Sequence, residues 1–152
     1  MSLYGEYDAD NIFAKILRGE VPCHPVYENE DVLAFLDAFP QSQGHTLIIP
    51  RHERARNLVE LDNAAIAPLF TCAKMMMQVL IDELQPDGVQ LMQFNGGRGG
   101  QSVFHVHVHL IPRWPGQPLG VHSQNAGDPD ELAALASRLQ ARAAKLQERS
   151  IR

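Results

Sequence analysis

Residues 104 to 114 read FHVHVHLIPRW, with imidazole and apolar side chains in strict alternation from His105 to His109. On a strand, successive side chains point to opposite faces. His105, His107 and His109 therefore share one face, and Phe104, Val106, Val108 and Leu110 share the other. The apolar face requires a sheet with a layer packed against it, and the imidazole face is left for chemistry. Packing three of the seven histidines into five residues also couples their protonation. Neighbouring cations repel, so at least one ring is held neutral near pH 7. A neutral imidazole is what a nucleophile or a metal ligand has to be.

The rest of the chain supplies the layers. At 152 residues it is expected to form one compact unit with a proper core. Asp10 as N-cap, apolar Ile12, Phe13, Ile16 and Leu17, and Gly19 as stop predict a short first helix lying on a sheet. Strands are expected at Pro25 to Glu28, at Val32 to Asp37 after the Asn29-Glu30-Asp31 turn, and at His45 to Pro50 after the Pro40 to Gly44 loop. Their short connections make them antiparallel neighbours.

From Asp62 to Leu84, the residues Ile66, Leu69, Phe70, Ala73, Met76, Met77, Leu80 and Leu84 recur at helical spacing. Pro68 lies too far inside for a first-turn proline, so a kink or a later start is expected there. Met75-Met76-Met77 reads as core packing on a helix face. Pro86-Asp87-Gly88 ends this helix, Val89 to Phe94 reads as a strand, and Asn95-Gly96-Gly97-Arg98-Gly99-Gly100 as a loop that needs glycine backbone. Val103 to Ile111 is the expected final strand. Asp128 as cap, Pro129 at the first position and Glu131 after it start a last helix whose stripe is Leu132, Leu135, Leu139, Ala143 and Leu146.

The formal charge of −5 and the lack of a basic run argue against a nucleic-acid polymer as partner. The start, MSLYGEYDAD, lacks the order of a signal peptide, and no apolar run approaches the length needed to cross a bilayer, so a cytoplasmic protein with no membrane partner is expected. Cys23 and Cys72 form no Cys-x-x-Cys pair. They read as small buried residues of a reducing compartment.

Two chemistries remain for the histidine face. His-x-His on a strand can chelate zinc. The outer pair lies about 13 Å apart along a strand, so one ion does not take all three, and further ligands would have to come from His45, His52 or a cysteine. Alternatively, NGGRGGQS at Asn95 to Ser102 offers backbone N–H groups, Arg98, Gln101 and a hydroxyl just before the histidines, a cradle for an anion. It is not a P-loop, since no Lys-Ser or Lys-Thr follows the glycines. Joined to a nucleophilic imidazole, such a cradle suits phosphoryl or nucleotidyl transfer.

These residues resemble the histidine triad (HIT) family, whose motif alternates three histidines with apolar residues, as HVHVHLI does from His105 to Ile111. The likeness extends to NGGRGGQSVFHVHVHLIPRW, to GHTLIIPRH at Gly44 to His52, to VLAFLDAFPQ at Val32 to Gln41 and to NIFAKILRGEVP at Asn11 to Pro22. It implies that His107 is a nucleophile forming a covalent nucleotidyl-histidine, flanked by His105 and His109, with His45 completing the catalytic set. It assigns Asn95, Gly100, Gln101 and Ser102 to the phosphates and Asp37 to the ribose hydroxyls. Ile12, Phe13, Ile16, Val21, Phe35 and Ala38 would line a slot for the base, although any one of them taken singly reads first as ordinary core.

Many similar bacterial members carry a Cys-x-x-Cys where this chain has Asn11-Ile12-Phe13-Ala14, and use it to hold structural zinc. With both thiols missing, His52 and His105 lose those partners, and no structural zinc or obligatory cofactor is expected. The segment PRWPGQPLGVH does not match the tail of the phosphoramidase branch, and Pro112-Arg113 is as similar to the dinucleoside polyphosphate hydrolases.

The expectation is therefore an α+β fold: a five-stranded antiparallel sheet carrying the long helix and the short N-terminal helix. Residues 1–115 form the domain, and 116–152 a loop and C-terminal helix packing on it or on a partner. The resemblance implies a homodimer whose sheets run on across the interface. It also implies hydrolysis or transfer at the α-phosphate of a purine nucleotide conjugate, a phosphoramidate or a dinucleoside polyphosphate. The rivals are a purine-nucleotide-binding or signalling protein without turnover, and a metal-binding module.

Overall fold

Two strands that are buried along their whole length set the architecture. The computed structural model describes residues 3–119 and 125–151. In β2 (Val32–Leu36) and β3 (Thr46–Pro50) every residue is buried, which demands a layer on each face of the sheet. One layer is the long helix α2 (Asn63–Leu84), which together with α3 (Pro129–Ile151) closes a core over Val32, Ala34, Leu36, Ile48, Val108 and Leu110. The other is thinner. The short helix α1 (Ile12–Leu17) sets Phe13 over Leu33, Phe35, Leu47 and Ile49. With β1 (His24–Glu28), β4 (Gly88–Met92) and β5 (Val108–Arg113) the sheet has five antiparallel strands in the order β1-β2-β3-β5-β4. The expected α+β fold is the one observed.

The register is what places the site. Pro25 pairs with Phe35, Phe35 with Leu47, Leu47 with His109 and His109 with Met92, so these residues form one row across the sheet. His109 thus shares its face with Phe35 and Leu47, beneath α1, while its neighbours Val108 and Leu110 lie in the core under α2.

Several boundaries differ from the sequence reading. The cap of α1 is Asn11 and not Asp10: the Asn11 side chain accepts from Ala14 N at 2.9 Å, while Asp10 N–H is held by Asp8 Oδ1 at 2.8 Å. Helix α2 starts directly after its cap Asp62 and runs on through Pro68, so no later start occurs; the missing N–H removes one helical bond that the packed face outweighs. It stops on Gln85 in the left-handed conformation, before the Pro-Asp-Gly expected to end it. Met76 is core, as its place on the helix face predicts. At 22 residues α2 is also long and apolar enough to cross a membrane, which corrects the expectation that no run approaches that length. Leu69, Cys72, Ala73, Met76, Val79 and Leu80 nevertheless form its buried stripe, as in the core helix of a packed sheet.

The final strand begins at Val108 and not at Val103. Of the three histidines only His109 is in the ladder; His105 lies in a bend and His107 one residue before the strand. In the C-terminal part Asp128 caps α3 through its carboxylate to Asp130 N at 2.9 Å, and Leu132, Leu135, Leu139 and Ala143 enter the main core of their own chain. Val121 and His122 of the segment after the triad lie outside the described residues.

Candidate active site

Gly44 positions the first site histidine. It has φ +90°, and a Cβ there would come within 2.6 Å of Leu84 on α2, so only glycine lets the chain turn into β3 while the sheet rests on the helix. His45 follows at once. It is buried, one residue before β3, and its ring stands beside that of His109 on the paired strand β5, with centroids 5.3 Å apart.

The hydrogen bonds fix which nitrogens carry protons in the neutral rings. Gln41 N–H donates to His45 Nδ1 at 3.1 Å, so the His45 proton is on Nε2. That proton faces His109 Nδ1 at 3.0 Å, with Asp37 Oδ2 at 3.5 Å. His109 Nδ1 accepts, so His109 in turn carries its proton on Nε2. His107 is set the other way round. Its Nδ1 lies 2.7 Å from the His105 carbonyl, which can only accept, so the proton is on Nδ1 and the lone pair on Nε2. The His107 and His109 rings are 4.9 Å apart, one presenting a lone pair and the other a proton.

His105 has a different place. Its Nε2 donates to the Pro50 carbonyl at 3.0 Å, and its Nδ1 accepts from the Tyr7 hydroxyl at 2.6 Å. Burial pushes its pKa below the ordinary 6.5, partly opposed by the Pro50 carbonyl.

A cleft of about 560 Å³ opens above this row. It brings together Ile12, Phe13, Ile16, Val21, Phe35, Asp37, Ala38, His45, Ser102, His107 and His109 of the expected site residues. The edge of Phe13 meets His107 at 4.9 Å and Phe35 at 5.5 Å, joining the apolar part to the imidazoles. Pro22, Cys23, His24, Leu36, Phe39, Gln41, Leu47 and Val103 also line it, and the sequence reading had not placed them there. Pro22, Leu36, Phe39 and Val103 adjoin residues it had named, and strand alternation from His45 points to Leu47; Cys23 and His24 carry no such signal. Burial raises the Cys23 thiol pKa, so it is a poor nucleophile there.

His105, Asn95, Gly100 and Gln101 do not line the cleft. Gln101 is buried and ties the glycine loop together, accepting from Gly96 N at 2.8 Å and donating to the carbonyls of Arg56 and Val103. Asn95 Oδ1 accepts from Leu58 N at 3.0 Å and exchanges bonds with Gln93. The N–H groups of Gly99, Gly100 and Gln101 are taken by the carbonyls of Gly96 and Gly97. Ser102, exposed on the cleft wall, is the member of that segment that meets the cavity.

Two sets of donor atoms bear on a zinc ion. Asp37, His45 and His109 bring three ligand atoms within 4.8 Å of one another, compatible in distance with a tetrahedral ion. Protonation is not compatible. A neutral imidazole that gives Nε2 to a metal carries its proton on Nδ1, and on His45 that proton would face the Gln41 N–H. At the place of the missing Cys-x-x-Cys, Asn11 caps α1, Ala14 is buried, both His105 nitrogens are engaged, and His52 Nε2 bonds the Glu30 carbonyl at 2.7 Å. These residues do not fit a structural zinc.

The chain is similar to known proteins along most of its length. The family model described as HIT domain matches residues 18–116. Protein hit of Bacillus subtilis is 38% identical over 88% of this chain and 94% of its own length. Adenosine 5'-monophosphoramidase hnt1 of Schizosaccharomyces pombe is 34% identical over 82% of this chain and 91% of its own. Among solved structures, a Hit-like protein from Bartonella henselae is similar with a TM-score of 0.84 and 36% identity, covering 91% of this chain and 99% of that one. A zinc-bound histidine triad family protein from Mycobacterium smegmatis is similar with a TM-score of 0.79 and 28% identity, covering 91% and 96%.

Proposed function

The chain belongs to the HIT family, and from that premise we propose that it is a nucleotide hydrolase or transferase acting at the α-phosphate of purine nucleotide conjugates. The observation that carries this reading is the opposed pair of tautomers: His107 with its lone pair on Nε2, and His109 with its proton on Nε2, side by side in one cleft. The named activity of the fission-yeast relative, an adenosine monophosphoramidase, supports the same class.

The nucleoside lies in the apolar part of the cleft, against Phe13 and Phe35, with its ribose hydroxyls on Asp37. Asp37 is suited to this because Phe39 N–H holds its Oδ1 at 2.8 Å and keeps the carboxylate at the cleft wall. His107 Nε2 then attacks the α-phosphorus in line. The N–P bond forms as the bond to the leaving group breaks, and the leaving group takes the electron pair. The positive charge that develops on the His107 ring is stabilised by the His105 carbonyl accepting from Nδ1–H. His109 Nε2–H donates to the departing atom or to a phosphate oxygen, and His45, through Nε2–H to His109 Nδ1, keeps that proton outward. Water attacks the same phosphorus in the second step, loses its proton to solvent, and releases the nucleoside monophosphate and neutral His107.

The test is mass spectrometry of protein quenched without acid seconds after mixing with an adenosine phosphoramidate or a diadenosine polyphosphate, beside His107→Asn. A transient adduct of one AMP on the wild type alone is expected, with AMP binding retained in the variant. Absence of adduct and of AMP release with both substrates, despite AMP binding, would leave the binding-protein reading in its place.

A further inference from the structure

His107 lies one residue short of β5, so the ladder that holds His109 does not hold the residue with the reactive lone pair. Segment 103–107 must therefore be fixed by other anchors. One is the backbone bond from Val106 N to the Ala55 carbonyl at 2.9 Å. A second is the His105 ring, which is 1% exposed and held at both nitrogens, by Pro50 O at 3.0 Å and the Tyr7 hydroxyl at 2.6 Å. The carbonyl of that same residue accepts from His107 Nδ1 at 2.7 Å.

Tyr7 comes from an extended N-terminal strap that is itself tied down. Asn57 Nδ2 donates to the Leu3 carbonyl at 2.8 Å and Arg56 Nη1 to the Glu6 carbonyl at 3.0 Å. The Arg54 guanidinium lies over the Tyr7 ring at 4.9 Å from its centroid. The phenol therefore reaches His105 across 98 positions of sequence with a fixed direction.

We propose that Tyr7 is a positioning residue for the nucleophile. The Pro50 carbonyl sets the Nε2–H tautomer of His105, and the Tyr7 hydroxyl, donating to Nδ1, fixes the orientation of that ring; the held ring keeps in place the carbonyl that takes the proton on Nδ1 of His107 and leaves the lone pair on Nε2. Tyr7 does not line the cleft, and its hydroxyl meets His105, which does not line it either. The consequence for rate rests on His107 being the nucleophile; the consequence for tautomer state does not.

The experiment is nitrogen-15 NMR of the histidine rings in the full chain, wild type and Tyr7→Phe, with turnover of an adenosine phosphoramidate measured in parallel. The wild type should show His105 protonated on Nε2 and His107 on Nδ1. Tyr7→Phe keeps the ring and removes only the hydroxyl. His105 should keep its proton on Nε2 while its Nδ1 resonance moves to that of an unbonded nitrogen, His107 should lose its single-tautomer signature, and kcat should fall about tenfold with KM within about twofold. An unchanged His107 signature in the variant would overturn the proposal. So would a wild-type His105 protonated on Nδ1, a result that needs no variant to fold. If neither protein turns over the substrate, the reading of function has failed, and the tautomer spectra still decide the role of Tyr7.

Discussion

His105 carries a protonation state into the folded chain that the unfolded chain does not share. Burial lowers its pKa from the ordinary 6.5, so below about pH 6.5 the unfolded chain binds a proton that the folded one refuses. The stability this ring contributes is fully present above 6.5 and is lost as pH falls through the lower folded value. Urea midpoints of wild type and His105→Asn should accordingly converge between pH 7.5 and 5, and a gap that stays constant would show that His105 does not titrate with unfolding. Alternation alone singled out His105, His107 and His109 but gave them one role. Their division of labour depends on Pro50, Tyr7, Gln41 and His45, each far away in sequence from the ring it sets or brought there by a turn. Tyr7 had no local signal at all, being one tyrosine in an acidic stretch that fits no period. Asn95 and Gln101, read from the resemblance as phosphate contacts, bond within the protein, Asn95 to Leu58 and Gln93 and Gln101 to Gly96, Arg56 and Val103.

At the level of elements, what was legible is what has a period or a cap. The stripe on α2, the cap Asp62, the short apolar run of β3 and the start of α3 at Pro129 are all present in the linear pattern. Misread were places where a pattern outlasts its cause. HVHVHLI alternates as a strand should, yet β5 begins only at Val108, because the preceding residues take their partners from Ala55 and Tyr7 and not from β3. Chain geometry at one such junction gives a sharp expectation. Gly44→Ala meets two penalties at once, a left-handed backbone and a Cβ 2.6 Å from Leu84. It should destabilise by roughly 2–4 kcal/mol in urea unfolding, and the displaced His45 should lower activity in whatever fraction still folds. A loss below about 0.5 kcal/mol would mean that α2 yields to the sheet at no cost, against the packing described.

For the whole molecule, the two sheet edges are treated differently. On the β1 edge Pro25 has no N–H to offer, a bulge breaks the register between Pro25 and Tyr27, and Gln140 of α3 donates to the Pro25 carbonyl at 2.6 Å. These are devices that discourage further pairing. Strand β4 at the other edge, Gly88–Met92, has no proline, keeps unbroken register with β5 and leaves Leu91 41% exposed. An open, regular and partly apolar edge is what a second copy can extend, and a two-fold pairing of β4 with β4 is closed and self-complementary. The homodimer implied by the family resemblance is therefore expected to form here, since α3 already lies against β1 and α2. Light scattering at tens of micromolar should give twice the 16.9 kDa of one chain. Leu91→Lys, which sets like charges against each other across the two-fold axis, should return that mass to one chain without changing the circular dichroism. A wild type of single-chain mass would remove the dimer, and a Leu91→Lys variant that stays dimeric would move the interface off β4.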